Sequence, residues 1–298
     1  MKRHVILAFL LPAFLGAQGP PPVGSSTAEG RPGSVLIYNV NVVARTTKAV
    51  NYQHRSGPTE IGFNGTVLLP DATGKAAVES EKGAVQIRTE FKKLAPPTKF
   101  GRQYLTYVLW AITPEGRPHN LGELIANSGD KAKLDTTTAL QAFALIVTAE
   151  PYYAVTEPSD VVVMENVVLP DTAGRVQTVD AKFELLKRGT YSYDKEKADA
   201  IQPAGEKLRA GRYEALLEVY QARNAVQIAK SQGAAEYAAS SYMEAAQLLE
   251  QAEAKYAAKG KNKEIVAMAR QATQTAEDAR LITERKKEQE QQERVARQ

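Results

Sequence analysis

Beyond Pro203 the sequence contains no proline, and 20 of residues 214–298 are alanine. Alanine is the strongest intrinsic helix former and proline the strongest breaker, so this last third is committed to helix. Gly233 and Gly260 are the only glycines beyond Gly211. Each reads as a C-terminal stop, because glycine enters the left-handed conformation that ends helices. Three helices are therefore expected, with Asn262 placed to cap the third and Glu264 in its first turn, where the helix dipole favours an anion. Each carries a stripe of small or apolar residues stepping by three and four: Val219, Ala222, Val226 and Ala229; Tyr242, Ala245, Leu249, Ala252 and Tyr256; Ile265, Ala269, Ala272, Ala276 and Ala279. That spacing predicts an alanine-rich helical hairpin or three-helix, coiled-coil-like segment over residues 213–283.

Burying an alanine methyl is worth about 0.8 kcal/mol, against about 1.5–3 kcal/mol for a leucine-sized side chain. A stripe of this kind is expected to seek further contact, through self-association or an envelope protein partner. Its candidate seam is Tyr242, Ala245, Leu249, Ala252, Tyr256, Ala269, Ala272 and Ala276. Past Ile282 the stripe ends, and residues 284–298 are almost wholly charged or amide-bearing, as a solvated helix end or tail would be.

Upstream the periodicity changes. Ile61, Phe63, Val67 and Leu69 lie at even spacings, and Val85, Ile87 and Phe91 alternate with Gln86, Arg88, Glu90 and Lys92, as in half-exposed strands. Residues 35–43 are also strand-like, and 105–112 and 142–149 are apolar on both faces, like central strands covered twice. Turn signals fall at residues 71–74, 82–83, 114–116 and 128–130. Many short strands punctuated in this way predict an antiparallel β-sandwich over residues 34–190. Residues 191–212, with Pro203, Gly205 and Gly211, read as a linker to the helices, so the β domain is expected to fold without them.

Ahead of both regions, Lys2, Arg3 and His4 precede an apolar run from Val5 to Leu15 and the small residues Gly16 and Ala17. This order predicts a secretory signal peptide over residues 1–17, followed by a flexible Pro/Gly/Ser tether over 18–33. Gln18 stands where a lipoprotein would need cysteine, so the exported product is expected to carry no lipid. No later run is long and apolar enough to span a bilayer. Without Lys2 and Arg3, 36 basic residues face 34 acidic ones, and no basic face suggests nucleic acid.

The chain has no cysteine and only three histidines, His4, His54 and His119. Disulfides, thiolate metal sites and cysteine nucleophiles are excluded, and neither HExxH nor GxSxG is present. Gly74-Lys75 lacks the upstream glycine and the hydroxyl of a phosphate loop, with Leu69 and Ala76 in those places. No catalytic, cofactor or metal residues are expected. Trp110, near Tyr104 and Tyr107, is a candidate glycan-stacking platform, or else a core residue of a central strand.

Five stretches carry a family resemblance: YNVNVVARTTKAVNY from Tyr38, YLTYVLWAITPEGR from Tyr104, LQAFALIVTAEPYYAV from Leu140, PSDVVVMENVVLPDTAG from Pro158 and ARNAVQIAKSQGAAEYA from Ala222. In these the chain resembles the N-terminal part of OmpA-family-type bacterial envelope proteins, in which a β-rich domain precedes an alanine-rich helical domain of unknown function. The resemblance implies a structural or interaction protein, periplasmic or associated with the outer membrane. The peptidoglycan-binding domain that often follows in that family has no counterpart up to Gln298. A non-catalytic envelope protein with a partner-binding helical segment is expected, the alternative being a glycan or peptidoglycan binding module built on the sandwich.

Overall fold

A computed structural model describes residues 49–52, 57–81, 83–167, 169, 175–177 and 210–298. The expected signal peptide, tether, first strand and nearly all of the linker lie outside these residues.

The described β region comprises β1 (Ala49–Asn51), β2 (Thr59–Gly65), β3 (Thr73–Glu81), β4 (Ala84–Lys92), β5 (Thr106–Ile112), β6 (Pro118–Leu124), β7 (Ala126–Ser128), β8 (Lys131–Thr138), β9 (Ala142–Glu150), β10 (Val162–Val167) and β11 (Arg175–Gln177). Every pairing among them is antiparallel. The path runs β6-β5-β9-β10-β2-β3-β4-β8-β7. Because β7 continues β6 after Ile125, the sheet nearly returns on itself and is barrel-like. Across that seam the Thr136 hydroxyl of β8 donates to the Leu121 carbonyl of β6 at 2.9 Å. The short β1 joins the start of β9, pairing Val50 with Phe143, and β11 joins β1.

Alternation sets the inside. Val85, Ile87 and Phe91 of β4 are buried while Ala84, Arg88 and Lys92 face water, and Phe91 meets Phe63 edge-on at 5.0 Å. β5 and β9 bury both faces, as their continuous apolar runs predict. Tyr107, Leu109 and Ala111 point into the barrel, whereas Val108, Trp110 and Ile112 belong to a second hydrophobic cluster on its outside.

Two local expectations are corrected. The strand expected to reach Leu69 stops at Gly65, because residues 66–70 form a tight turn that leaves Val67 88% exposed. A Cβ at Gly65 would lie 1.9 Å from the Leu69 carbonyl oxygen, so only glycine fits where that turn folds back. The expected turn at 71–74 ends early, since β3 already begins at Thr73.

The helices are α1 (Ala210–Ser231), the single turn α2 (Ala234–Tyr237), α3 (Ala239–Ala257) and α4 (Asn262–Ala296). Arg212 of α1 reaches Asn262 at the start of α4, and Lys287 of α4 donates to the Gln232 carbonyl just past the end of α1, so these two run parallel. Arg223 of α1 pairs with Glu253 of α3, which therefore runs antiparallel between breaks near Gly233 and Gly260. Gly233 takes the left-handed conformation at φ +95. At the second break Lys259 takes it instead, at φ +55, and Gly260 is needed for close approach: its Cβ would stand 2.6 Å from Lys255 Cγ. Asn262 is not the cap. Lys261 occupies that position without a side-chain cap bond, while Asn262 is spent on Arg212. The charged segment 284–298 is the end of α4, helical to Ala296.

Candidate functional site at the sheet–helix junction

The alanine stripe closes within the chain. Ala245, Ala252, Ala269, Ala272 and Ala276 are fully buried, and Tyr242, Leu249 and Tyr256 are partly buried against the same clusters. The seam expected to face a partner is thus an internal one, because small side chains let three helix axes and a sheet approach closely. Ala225, Ile228, Ala229, Ala245, Ala276 and Ala279 share one cluster with Val108, Trp110, Ile112, Ala144 and Ile146 of β5 and β9. The helices are the second cover of the two doubly apolar strands, so the described sheet and helices pack as one unit. Trp110 is fully buried in this layer and its indole N–H donates to the Thr148 hydroxyl at 2.8 Å. It offers no face on which a sugar could stack, so the platform expectation is corrected in favour of a core tryptophan.

Polar side chains fix that apolar contact in register, and most work through residues 151–160 between β9 and β10. Asn224 of α1 donates to the carbonyls of Pro151 and Gln103, both at 3.0 Å, and Gln221 accepts from the Tyr153 amide at 2.7 Å. Asn120 of β6 donates to the carbonyls of Tyr153 and Val155 at 2.8 Å. On α4, Glu277 and Arg280 form an ion pair at 2.8 Å whose side chains are 0% and 3% exposed. Glu277 also accepts from the Tyr152 hydroxyl at 2.7 Å and from the Thr156 hydroxyl and amide at 2.7 and 3.1 Å. Burial alone would raise the Glu277 carboxyl, but the hydrogen bonds and charge of Arg280, helped by Thr156 and Tyr152, hold it below the usual range.

A second cluster sits where β6, α1 and α4 meet. Arg270 of α4 places Nη2 at 2.6 Å from both Glu123 of β6 and Glu218 of α1, and its guanidinium lies 4.5 Å over the Tyr153 ring. Beneath the same interface Glu150, fully buried at the end of β9, accepts from the Thr148 hydroxyl and from the Ser159 amide at 2.8 Å. Burial pushes its carboxyl up to about 8 in spite of those bonds.

Sequence reading missed these residues. Gln221, Asn224, Glu277 and Arg280 sit beside alanines of the expected stripes, at positions where an apolar face would not carry polar groups. That interruption was the available signal. Among the described residues no group of three or more potential ligands is placed to hold a metal ion, and no helix is long and apolar enough to cross a membrane. No family model, curated protein or solved structure matches the chain significantly.

Proposed function

We propose that this is a non-catalytic structural and interaction protein of the bacterial cell envelope, exported by its N-terminal segment and resident in the periplasm or against the outer membrane. In this reading the β region acts as a flattened barrel or sandwich, and the coiled-coil-like packing of α1, α3 and α4 stiffens it. The observation that carries the interaction role is the end of α4. The helix runs to Ala296, past its last buried residue Thr283, and every residue from 285 to 298 is exposed. Mixed charges line this arm, with Arg285, Lys286 and Lys287 followed by Glu288, Glu290 and Glu293, then Arg294 and Arg297. Lys286 donates to the Tyr237 carbonyl and Glu290 accepts from the Tyr237 hydroxyl, so α2 steadies the start of the arm, but a helix end this exposed adds little to the stability of its own chain, which favours a surface kept for something else.

Glycan binding through Trp110 loses its support, since that side chain is buried. A photo-crosslinking residue placed at Val295 in the exported protein, compared with one at the buried Ala252, tests the interaction reading. An adduct with another envelope component from position 295 alone is expected. Adducts from neither position, in cells where the protein is abundant, would overturn it.

A further inference from the structure

We infer that the meeting point of β6, α1 and α4 is a proton-loaded clamp, which grips the helices to the sheet when Glu218 is protonated and loosens when that proton leaves. The geometry supplies one cation for two carboxylates. Arg270 donates to Glu218 Oε1 from Nε at 2.9 Å and from Nη2 at 2.6 Å, and Nη2 also reaches Glu123 Oε2 at 2.6 Å. Glu123 has further donors: the Thr106 hydroxyl at 2.7 Å and the Gln221 amide at 2.8 Å both reach its Oε1. Both oxygens of Glu123 are therefore hydrogen-bonded. Among the described residues Glu218 has no donor beyond Arg270, and its Oε2 is buried without a partner. With both carboxylates ionised the cluster holds an uncompensated negative charge and an unsolvated oxygen, which a single proton on Glu218 relieves.

The charged groups around Glu218 come from every element packed there. Glu123 faces it from β6, Arg270 from α4 and Glu214 from α1 itself. The Tyr153 ring from the 151–160 loop covers Arg270, and α3 commits Glu253 to Arg223. Burial, then the Glu123 charge, pushes the Glu218 carboxyl up to about 7 against the opposing pull of Arg270. The Arg270 side chain is 34% exposed, which gives the proton a route to solvent. The carboxyl is raised in the folded state, so its contribution is fully present below the ordinary carboxylate range. It is lost as pH rises through about 7.

The test is urea unfolding of the full chain between about pH 5 and 8.5, in a Glu150→Gln background that removes the other raised carboxyl. The unfolding constant is expected to rise with pH, by up to about tenfold per pH unit between about pH 5 and 7. Adding Glu218→Gln, which mimics the protonated state, is expected to abolish that rise, and the protection factors of the α1 and α4 amides, corrected for base-catalysed intrinsic exchange, should no longer fall at high pH. A pH profile that is flat without Glu218→Gln, or unchanged by it, overturns the inference. If the variants do not fold, carbon-13 titration of the wild-type glutamate carboxyls decides. The Glu218 carboxyl should titrate near neutral pH, and a Glu218 carboxyl that titrates in the ordinary carboxylate range refutes the clamp.

Discussion

Replacing Arg280 with methionine removes one half of an ion pair that is almost completely withdrawn from water. The pair joins α4 to the loop after β9, so its loss acts on the junction. Breaking a buried pair from one side costs about 3–5 kcal/mol, because the remaining charge has neither its partner nor water. Glu277 retains three donors, from Tyr152 and Thr156, which places the expected cost near the lower end, about 3 kcal/mol. The bond from Arg280 to Glu284 adds little, since the Glu284 side chain is 41% exposed. The double variant Glu277→Gln with Arg280→Met removes both charges; the amide oxygen still accepts from Thr156, and its NH2 group can donate to the Tyr152 hydroxyl, which turns to accept. The double variant is expected to return to within about 1–2 kcal/mol of wild type. Urea unfolding followed by the fluorescence of Trp110, the only tryptophan, measures both. The penalty of the single variant should also shrink in acid, where Glu277 takes up a proton. A single variant within about 0.5 kcal/mol of wild type, or a double variant less stable than the single one, would refute the reasoning.

Trp110→Ala should cost about 3–5 kcal/mol by opening a cavity between sheet and helices, read by urea unfolding followed by far-ultraviolet circular dichroism because the variant lacks the only tryptophan. Gly65→Ala, whose methyl would meet the Leu69 carbonyl, should lower stability by more than about 2 kcal/mol, while alanine at the open Gly83 position without this clash should cost less than half as much. Glu150→Gln should leave stability near pH 5 almost unchanged and exceed wild type at high pH. Its raised carboxyl contributes below the ordinary range and is lost as pH passes about 8. A Glu150→Gln curve parallel to wild type across that range would contradict the assignment.

Much of the architecture was legible because periodicity survives tertiary context. The proline-free alanine segment folds into the expected helices with breaks near both glycines, and β4, β5 and β9 lie where alternation or continuous apolar runs place strands. β6 and β8 were not legible. Their sequences, PHNLGEL and KAKLDTTT, are polar, and they are strands because β5 and β4 supply pairing partners. The candidate seam residues are buried or partly buried within the chain instead of facing out. A stripe of alanines announces close packing without saying against what, and the answer lay in the outward faces of β5 and β9. Those runs fall within the stretches YLTYVLWAITPEGR, LQAFALIVTAEPYYAV and ARNAVQIAKSQGAAEYA. In this fold the first two supply the covered sheet face and the start of the loop after β9, and the third supplies the second half of α1 together with α2.

Sheet and helices form one folding unit, in which Trp110 is shielded only while the helices are in place. Acrylamide quenching of Trp110 in the full chain, and in a chain ending before α1, tests this directly. Strong protection is expected in the full chain. In the shortened chain the tryptophan should be readily quenched, accompanied by binding of a hydrophobic dye or by aggregation, because Val108, Trp110, Ile112 and Ile146 lose their cover. A shortened chain that remains monomeric, unfolds cooperatively and protects Trp110 as well as the full chain does would contradict the account.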